Sequence, residues 1–311
     1  KLLMKHPFFS IIIPTYNRCD LLGRALKSVI NQKFTSFEII IIDNYSKDKT
    51  KQVVNNLKKK NIIYKKIKNR GIISKSRNEG IKLSKGKWIA FLDSDDIWRN
   101  DKLEKIYELI KTKKFEVICN NEWIINENSK KKKIWEYGPF VKNFYKYLIE
   151  YETFISISGS VVKKSFLDKN KISFSEKKDF VTAEDLDFFL KIAQNGGIFY
   201  FLHLPLGCHF FHSKAESYDH LRLENARKAV LKHHIFKIQK FTNNKTKIWR
   251  KVNFYIIFKG LIVKLKNNKI RLNVIKKFFY IYLSNPLLSI IFSYKMIRKK
   301  IFGIYLTKKF L

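Results

Sequence analysis

The first 120 residues alternate short apolar runs with segments of helical periodicity, and this alternation restricts the possible fold more than any other feature. Short apolar runs bounded by polar residues predict buried strands, whereas apolar residues at every third or fourth position predict helices. Strands separated by helices form a mainly parallel sheet, so we predict an α/β fold. The predicted strands are 8–13, 37–42, 61–67, 87–92 and 115–119. The predicted helices are 20–32, 47–59, 74–84 and 101–113.

The middle of the chain has less regular patterns. An apolar run at 153–162 that contains a glycine turn predicts a strand, and 198–202 predicts another. Helical spacing at 184–194 stops at Asn195-Gly196-Gly197, because glycine commonly ends helices. The chain after residue 217 is helical in pattern and strongly basic.

Polar residues follow three of the predicted strands at the point where each strand ends. Open α/β sheets bind ligands at the carboxyl ends of their strands, so these clusters should be neighbours in space. Together the three clusters describe a binding site for a nucleoside diphosphate. Asp43 can accept hydrogen bonds from a base or a ribose, and Asp93 and Asp95 suit a divalent cation that bridges phosphate oxygens. The three clusters are 14–18 (PTYNR), 43–46 (DNYS) and 93–96 (DSDD).

The acidic run from Asp93 to Asp96 has a second explanation, because carboxylates also cap helices. Asp95 or Asp96 would then cap the helix that begins near residue 100. Closely packed carboxylates, however, repel one another unless a cation or a hydroxyl-rich ligand holds them. Because two further polar strand ends share the same edge, we assign Asp93 and Asp95 to the cation and Asp96 to the cap.

Four segments together resemble the family 2 glycosyltransferases, whose catalytic domain has the GT-A fold. The resemblance covers about residues 8–220, with the segments in the family's order. It implies a nucleotide-sugar donor and Mn²⁺ or Mg²⁺, held by an Asp-x-Asp motif that falls on Asp93, Ser94 and Asp95. It also implies that Asp43 contacts the base, and Asn44 stands where the family often has a second acid. The four segments are 10–18 (SIIIPTYNR), 39–43 (IIIID), 77–80 (RNEG) and 93–96 (DSDD).

The acidic pair Glu184-Asp185 resembles the pair near the acceptor site of the same family, where the aspartate is the general base. An inverting transfer needs a carboxylate beside the acceptor hydroxyl, on the face opposite the departing diphosphate. Acids are also favoured at helix N-termini for electrostatic reasons alone, and Asp187 is a further acid of the same segment. We predict Asp185 as the base, with Glu184 beside it.

Further candidate residues surround the donor site. His212 lies in a segment, 209–217, that resembles the one closing the catalytic domain in many members, where a histidine can ligate the metal or contact the diphosphate. Arg77 suits phosphate oxygens, or else is a surface arginine on the helix after the third strand. The residues assigned to the nucleotide-sugar site are Pro14, Thr15, Tyr16, Arg18, Asp43, Asn44, Arg77, Asp93, Ser94 and Asp95. The residues assigned to the metal are Asp93, Asp95 and His212.

Basic residues are concentrated at the C-terminal end of a chain whose net charge is +38. Residues 225–311 contain 22 of the 64 Lys and Arg residues and no Asp or Glu. Such a tail can pack on the catalytic domain, lie on an anionic leaflet, bind nucleic acid or stay solvated. The uncharged segment 278–294 is short for a membrane span and contains Pro286, which favours an interfacial element. We predict a catalytic domain at 1–220 and a basic, mostly helical extension at 221–311 on a membrane surface.

The patterns and the resemblance together predict a metal-dependent inverting glycosyltransferase. It would move a sugar from a UDP-sugar or related donor to a glycan or lipid-linked glycan of bacterial surface polysaccharide or lipooligosaccharide. The expected location is the cytoplasmic face of the inner membrane, and the odd number of widely spaced cysteines fits a reducing compartment. The alternative is a non-catalytic basic protein that binds nucleic acid or an acidic polymer through its tail, which leaves the strand-end acids unexplained.

Overall fold

The computed structural model describes residues 6–57, 59–126, 132–138, 141–151, 155–211 and 219–266, and six single residues between 276 and 290. The chain divides into two compact units. The first is formed by Lys1–Tyr137 and Phe154–Tyr218, and the second by Gly138–Thr153 and Asp219–Leu311. The second unit therefore includes the segment 138–153 as well as the basic C-terminal residues.

The N-terminal part of the first unit is a parallel sheet built from four of the predicted strands. β1 (Phe9–Thr15) lies between β2 (Phe37–Asp43) and β4 (Trp88–Phe91), and β3 (Ile62–Lys66) lies beyond β2. All of these neighbours are parallel, and Thr15 pairs in register with Asp43 at the ends of their strands. Every residue of β1 is buried, as expected for a strand that is covered on both faces.

Two helices cover opposite faces of these strands. The apolar face of α1 (Cys19–Ile30) shares a buried cluster with Ile11 of β1. Because successive strand residues point to opposite faces, Ile12 faces the other side, where it lies against Gly80 of α3 (Ile73–Leu83). A Cβ atom at Gly80 would lie 2.4 Å from Ile12 Cγ2, so only glycine allows this close approach of helix and sheet.

Later strands extend the sheet on one side only, beyond β4. The other α-helices and strands of the described residues are α2 (Thr50–Asn56), β5 (Ile97–Trp98), α4 (Lys102–Thr112), β6 (Val117–Asn126), β7 (Lys132–Trp135), α5 (Phe144–Tyr151), β8 (Ser160–Lys163), α6 (Lys164–Lys169), α7 (Glu184–Gln194), β9 (Phe199–Phe211), α8 (His220–His233) and α9 (Lys245–Lys266). The strand order is β3-β2-β1-β4-β8-β6-β9-β5, with β7 paired to β6. β8 is antiparallel to β4 and β6, whereas β6 and β9 are parallel.

Three strands differ in length from the prediction. β9 has 13 residues rather than the predicted run at 198–202, and β6 extends to Asn126, beyond the predicted end at 119. These two strands pair with each other along their length, and a bulge at 120–122 accommodates the change in register. The predicted strand at 153–162 is reduced to β8, which has four residues.

The second unit is helical in its described residues, where it contains α5, α8, α9 and a π-helical turn at His234–Ile238. Inside it, the Tyr145 hydroxyl lies 3.1 Å from His234 Nδ1, and Glu150 pairs with Lys251 at 2.9 Å. Among the residues that the structure describes, no helix has both the length and the apolar character needed to cross a bilayer. Most of the predicted interfacial segment, 278–294, lies outside the described residues.

Candidate active site

The strand order confirms that the three polar clusters meet at one edge of the sheet, which we call the carboxyl edge. β2, β1 and β4 are adjacent and parallel, so the residues that follow their carboxyl ends are neighbours. The first two clusters are also tied by hydrogen bonds. The Asn44 N–H donates to the Thr15 carbonyl at 3.0 Å, and the Asn17 N–H donates to Ser46 Oγ at 2.8 Å.

Asp43, the predicted nucleoside contact, is fully buried at the end of β2. Its Oδ1 accepts hydrogen bonds from the Ser46 N–H (3.0 Å) and hydroxyl (2.5 Å), and its Oδ2 accepts one from the Tyr64 hydroxyl at 2.5 Å. Burial and the bond to Asp43 raise the pKa of Tyr64, so this phenol remains a neutral donor. Asp43 therefore shapes the loop after β2, and its contact with a nucleoside stays a prediction.

The smaller residues assigned to the nucleotide pocket differ in exposure. Pro14, Thr15 and Ser94 are buried, whereas Tyr16 is 52% exposed. The Thr15 hydroxyl has no hydrogen-bond partner among the described residues, although it is buried at the carboxyl edge. Asn44 Oδ1 accepts the Asn69 N–H at 2.9 Å, which connects the loops that follow β2 and β3. The carboxyl edge thus offers both an exposed aromatic ring and a buried hydroxyl.

Each acid of the Asp93-Ser94-Asp95 motif is held by an arginine. Arg77 Nη2 lies 2.9 Å from Asp93 Oδ1, and Arg18 Nη1 lies 2.6 Å from Asp95 Oδ2. Charge-assisted hydrogen bonds are short and directional, so these two contacts fix the orientation of both carboxylates. Two arginines predicted for the nucleotide-sugar site therefore contact the predicted metal ligands.

Arg77 also reaches the acidic pair at the start of α7. Its Nη1 donates to Glu184 Oε1 at 2.7 Å, so one guanidinium bridges Asp93 and Glu184. Arg77 is 3% exposed, and the alternative of a surface arginine is therefore wrong. Burial disfavours its charged form, but Asp93 and Glu184 outweigh this effect and raise the pKa of Arg77. The bridge is a permanently charged link between the motif and α7.

Three acids lie in the first turn of α7, and they differ in exposure. Glu184 is 7% exposed, and its Oε2 accepts the Thr182 N–H at 2.8 Å. Asp187 is fully buried, which removes it as a candidate base. Asp185 is half-buried and is the most exposed of the three, with Oδ1 accepting the Leu186 N–H at 2.7 Å. Asp185 is therefore the most accessible acid of this turn, and its role as the base stays a prediction.

Asp96 does not cap a helix, contrary to the sequence-based assignment. α4 begins only at Lys102, and Asp96 is 1% exposed. Its Oδ2 lies 3.1 Å from His209 Nδ1, and its Oδ1 accepts the Phe210 N–H at 3.2 Å, because β5 runs antiparallel to β9. Burial disfavours the charged imidazole, but the Asp96 carboxylate outweighs it and raises the pKa of His209 to about 10. Asp96 and His209 therefore form a buried ion pair next to the motif.

Ser158 is a site residue that the sequence patterns did not indicate. Its Oγ accepts the Asp93 N–H at 3.0 Å across 65 residues of sequence. Ser158 precedes β8, and the antiparallel pairing of β8 with β4 brings it next to the motif. No local pattern marks such a residue, and only the strand pairing would have revealed it.

The chemistry of Asp93 and Asp95 fits a divalent cation. Magnesium-like ions prefer oxygen ligands and usually combine one or two carboxylates with substrate phosphates and water. Among the described residues, no three His, Cys, Asp or Glu side chains are grouped to hold a metal ion, so a cation here would depend on the diphosphate as well. His212, the predicted third ligand, lies outside the described residues.

Open α/β sheets bind ligands at the carboxyl ends of their strands, and this sheet with its strand-end acids has a GT-A-like fold. The model of the glycosyl transferase family 2 matches residues 10–170, which is more than half of the chain. The chain belongs to glycosyl transferase family 2, and the predicted resemblance is confirmed.

Known relatives include a transferase of a bacterial polymer. The chain is 37% identical over 193 residues to the poly(ribitol-phosphate) β-N-acetylglucosaminyltransferase TarP of Staphylococcus aureus (strain N315). This match covers 60% of the chain and 57% of TarP, so the chain spans little more than half the length of that relative.

Solved structures with the same fold include two that contain nucleotide sugars. S. aureus TarS 1–349 in complex with UDP-GlcNAc has a TM-score of 0.66 and 20% identity, and the match covers 88% of this chain and 79% of TarS. The mannosyltransferase PcManGT from Pyrobaculum calidifontis, in complex with GDP-Man and Mn²⁺, has a TM-score of 0.56 and 14% identity, with 97% and 89% coverage. At these identities the likeness shows the fold alone, and it confirms the predicted α/β GT-A class.

Proposed function

We propose that the protein is a metal-dependent, inverting glycosyltransferase that moves a sugar from a nucleoside-diphosphate donor to an acceptor hydroxyl. The observation that carries this proposal is the Arg77 bridge between Asp93 and Glu184. A transferase needs a group that holds the donor diphosphate and a base that faces the acceptor. Arg77 joins Asp93, the candidate for the first role, to α7, which carries Asp185, the candidate for the second role.

The donor binds along the carboxyl edge. A Mn²⁺ or Mg²⁺ ion held by Asp93, Asp95 and the donor phosphates would offset the negative charge that develops on the leaving diphosphate. Arg18 and Arg77 add positive charge beside the motif. The TarS complex contains UDP-GlcNAc and the PcManGT complex contains Mn²⁺, which supports a UDP-sugar donor and a metal. The residues of the nucleoside pocket are Pro14, Thr15, Tyr16, Asp43 and Asn44, with Ser94 beside the phosphates.

Asp185 is the general base of the reaction. It takes the proton of the acceptor hydroxyl while the hydroxyl oxygen forms a bond to the anomeric carbon of the donor sugar. The bond from that carbon to the diphosphate oxygen breaks, and the diphosphate leaves with the electron pair. A single displacement from the opposite face inverts the anomeric configuration. Glu184, held by Arg77 and the Thr182 N–H, fixes the start of α7 and with it the position of Asp185.

We infer that the acceptor is a glycan or lipid-linked glycan used for bacterial surface polysaccharide or lipooligosaccharide. The support is the relationship to TarP, whose name describes the transfer of N-acetylglucosamine to poly(ribitol-phosphate). Because the chain spans 57% of that relative, the sugar and the acceptor must be measured directly.

We infer that the second unit attaches the enzyme to the inner face of the inner membrane. Among the described residues of the C-terminal part, Phe279, Tyr280, Leu283 and Ile290 are large apolar residues that are each more than half exposed. Residues 225–311 add 22 Lys and Arg without an acid. Apolar and basic side chains together bind an anionic leaflet, with each cation near the surface contributing about 1 kcal/mol.

The alternative is a non-catalytic basic protein that binds nucleic acid or an acidic polymer through its tail. It accounts for the net charge of +38 but gives no role to the Arg77 bridge. The deciding measurement is a thermal-shift assay of the full chain with a panel of nucleotide sugars, with and without Mn²⁺. Stabilisation by a nucleotide sugar that requires Mn²⁺ supports the transferase, and mass analysis then identifies its product. Salt-sensitive binding of generic DNA without any response to nucleotides would contradict it.

A further inference from the structure

Lys102, the first residue of α4, is fully buried. Lysine is almost never fully buried without compensation, because moving an ammonium out of water is costly. A positive charge is also unfavourable at the N-terminus of a helix, where the helix dipole is itself positive. Neither core packing nor helix formation therefore explains a lysine at this position.

The ammonium of Lys102 is held by one backbone carbonyl and one aromatic ring. Its Nζ donates to the Ser158 carbonyl at 2.6 Å and lies 4.3 Å from the centroid of the Trp98 ring. The Trp98 Nε1–H donates to the same carbonyl at 2.9 Å. Two donors, one of them charged, thus converge on the Ser158 peptide and fix its position.

Ser158 connects this contact to the motif. Ser158 is fully buried, and its Oγ accepts the Asp93 N–H at 3.0 Å. The Asp93 carboxylate is held separately by Arg77 at 2.9 Å. Asp93 is therefore fixed twice, through its backbone by Ser158 and through its side chain by Arg77.

The charge of Lys102 is balanced by buried acids. Glu122 of β6 is fully buried; its Oε2 accepts the Tyr137 hydroxyl at 2.8 Å, and its Oε1 has no hydrogen-bond partner among the described residues. Burial lowers the pKa of Lys102 to about 8, and the negative charges of Glu122 and Asp96 oppose this shift. At neutral pH the ammonium is therefore mostly charged and offsets the negative field of Glu122.

We infer that Lys102 is a positioning residue for metal-dependent donor binding, which acts through Ser158 on the backbone of Asp93. The inference rests on the proposed function, because it requires the motif to bind the donor's cation. Lys102 contacts neither the donor nor the cation, so its removal changes their affinity and leaves the chemistry of the base at Asp185 intact.

The test measures UDP binding to the full chain as a function of Mn²⁺ concentration, together with the unfolding temperature. Lys102→Met removes the positive charge and the hydrogen bond to the Ser158 carbonyl at nearly constant side-chain volume. Ser158→Ala removes the hydroxyl that accepts the hydrogen bond from the Asp93 N–H. Gln32→Met is the matched control. Gln32 is a buried side chain that bonds the Leu103 N–H at the same helix start, at 3.0 Å, but lies outside the chain of contacts to Asp93.

We expect Lys102→Met to raise the Mn²⁺ concentration for half-maximal UDP binding by about tenfold or more, as is usual for residues that orient metal ligands. Ser158→Ala should raise it in the same direction, and the double variant should be no worse than Lys102→Met, because both act through one contact. Gln32→Met should lower the unfolding temperature and leave the Mn²⁺ dependence unchanged.

The inference is overturned if Lys102→Met leaves the Mn²⁺ concentration for half-maximal UDP binding unchanged. It is also overturned if the two substitutions raise this concentration additively in the double variant, or if Gln32→Met raises it as much as Lys102→Met does. If Lys102→Met does not fold, Ser158→Ala decides alone, and a wild-type Mn²⁺ dependence in that variant refutes the inference. If the wild-type protein shows no Mn²⁺-dependent UDP binding, the proposed function itself fails. If the wild type shows that binding and Lys102→Met retains it unchanged, only the inference fails, so the two failures are distinguishable.

Discussion

Two arginines hold the acids of the Asp93-Ser94-Asp95 motif, and water reaches them to different extents. The Arg77 side chain is 4% exposed and joins Asp93 to Glu184, whereas the Arg18 side chain is 28% exposed and contacts Asp95. Breaking a buried pair leaves a charge that water cannot solvate, while an exposed pair contributes little to stability. Arg77 is therefore the arginine whose loss should destabilise the fold, whereas Arg18 is the one that solvent reaches.

The largest expected effect is a loss of activity when the partly exposed pair between Arg18 and Asp95 is broken. Asp95→Ala removes one of two carboxylates proposed for the cation, so we expect turnover to fall by about 10³-fold or more. The free energy of unfolding should change by less than about 1 kcal/mol, because the released Arg18 is solvated. Sugar-transfer rates and urea unfolding measure the two quantities.

The matched control for that variant is Asp101→Ala, which breaks a similar pair with Arg99 away from the carboxyl edge. Its transfer rate should equal that of the wild type. If the two variants lost activity equally, Asp95 would have no special role, and its assignment to the cation would be wrong.

A second large effect is expected at Asp185, the proposed base, which follows the bridged Glu184 in the chain. Asp185→Asn keeps the shape of the side chain and leaves Glu184 paired with Arg77, so stability and donor affinity should stay near wild type. Turnover should fall by about 10²- to 10⁴-fold, because a positioned general base contributes this much. Steady-state kinetics and donor titration measure these quantities. A near-normal rate would show that another group removes the proton.

The largest expected change in stability is at the buried pair. Arg77→Met leaves Asp93 and Glu184 without their shared cation, and we expect the free energy of unfolding to fall by about 3–5 kcal/mol. Arg77→Lys should recover part of this, since an ammonium keeps the charge but cannot reproduce the fork geometry. Urea unfolding followed by tryptophan fluorescence measures both variants. A loss below about 1 kcal/mol would mean that burial does not distinguish the two arginines.

The smallest expected effect is that of Arg18→Met. The free energy of unfolding should change by less than about 1 kcal/mol, because the pair is partly exposed. Donor affinity should weaken by about tenfold, which is the lower end of what one charged hydrogen bond contributes. Isothermal titration with UDP and Mn²⁺ measures the affinity. A stability loss as large as that of Arg77→Met would remove the contrast between the two pairs.

The carboxyl edge could be predicted because short, continuous segments of the sequence determine it. Each of its strands is a continuous apolar run, and parallel strands joined by helices place their carboxyl ends together. Asp43, Asp93 and Asp95 could therefore be assigned to one edge from sequence alone. The family resemblance rests on the motifs at these strand ends together with the segment 77–80 of α3, and the family model confirms it.

The contacts that hold these acids were not predictable in the same way. Arg77 and Glu184 are 107 residues apart, and Asp96 and His209 are 113 residues apart. Their meeting depends on how β8, β6, β9 and β5 are ordered, and those strands mix parallel and antiparallel neighbours. Asp96 was assigned to a helix cap because local rules favour acids before helices, and tertiary pairing with β9 overrode them.

Gly80 sets how much variation α3 can tolerate. Arg77 and Gly80 are one turn apart on the same side of the helix, so the distance between α3 and β1 determines how far the guanidinium reaches. Any Cβ at residue 80 would meet the stiff, fully buried Ile12 side chain, and the helix would have to move away and take Arg77 with it. Gly80 has no side chain that could bind or react, yet we expect it to be substituted in natural variants as rarely as Asp93 and Glu184, the acids that Arg77 holds.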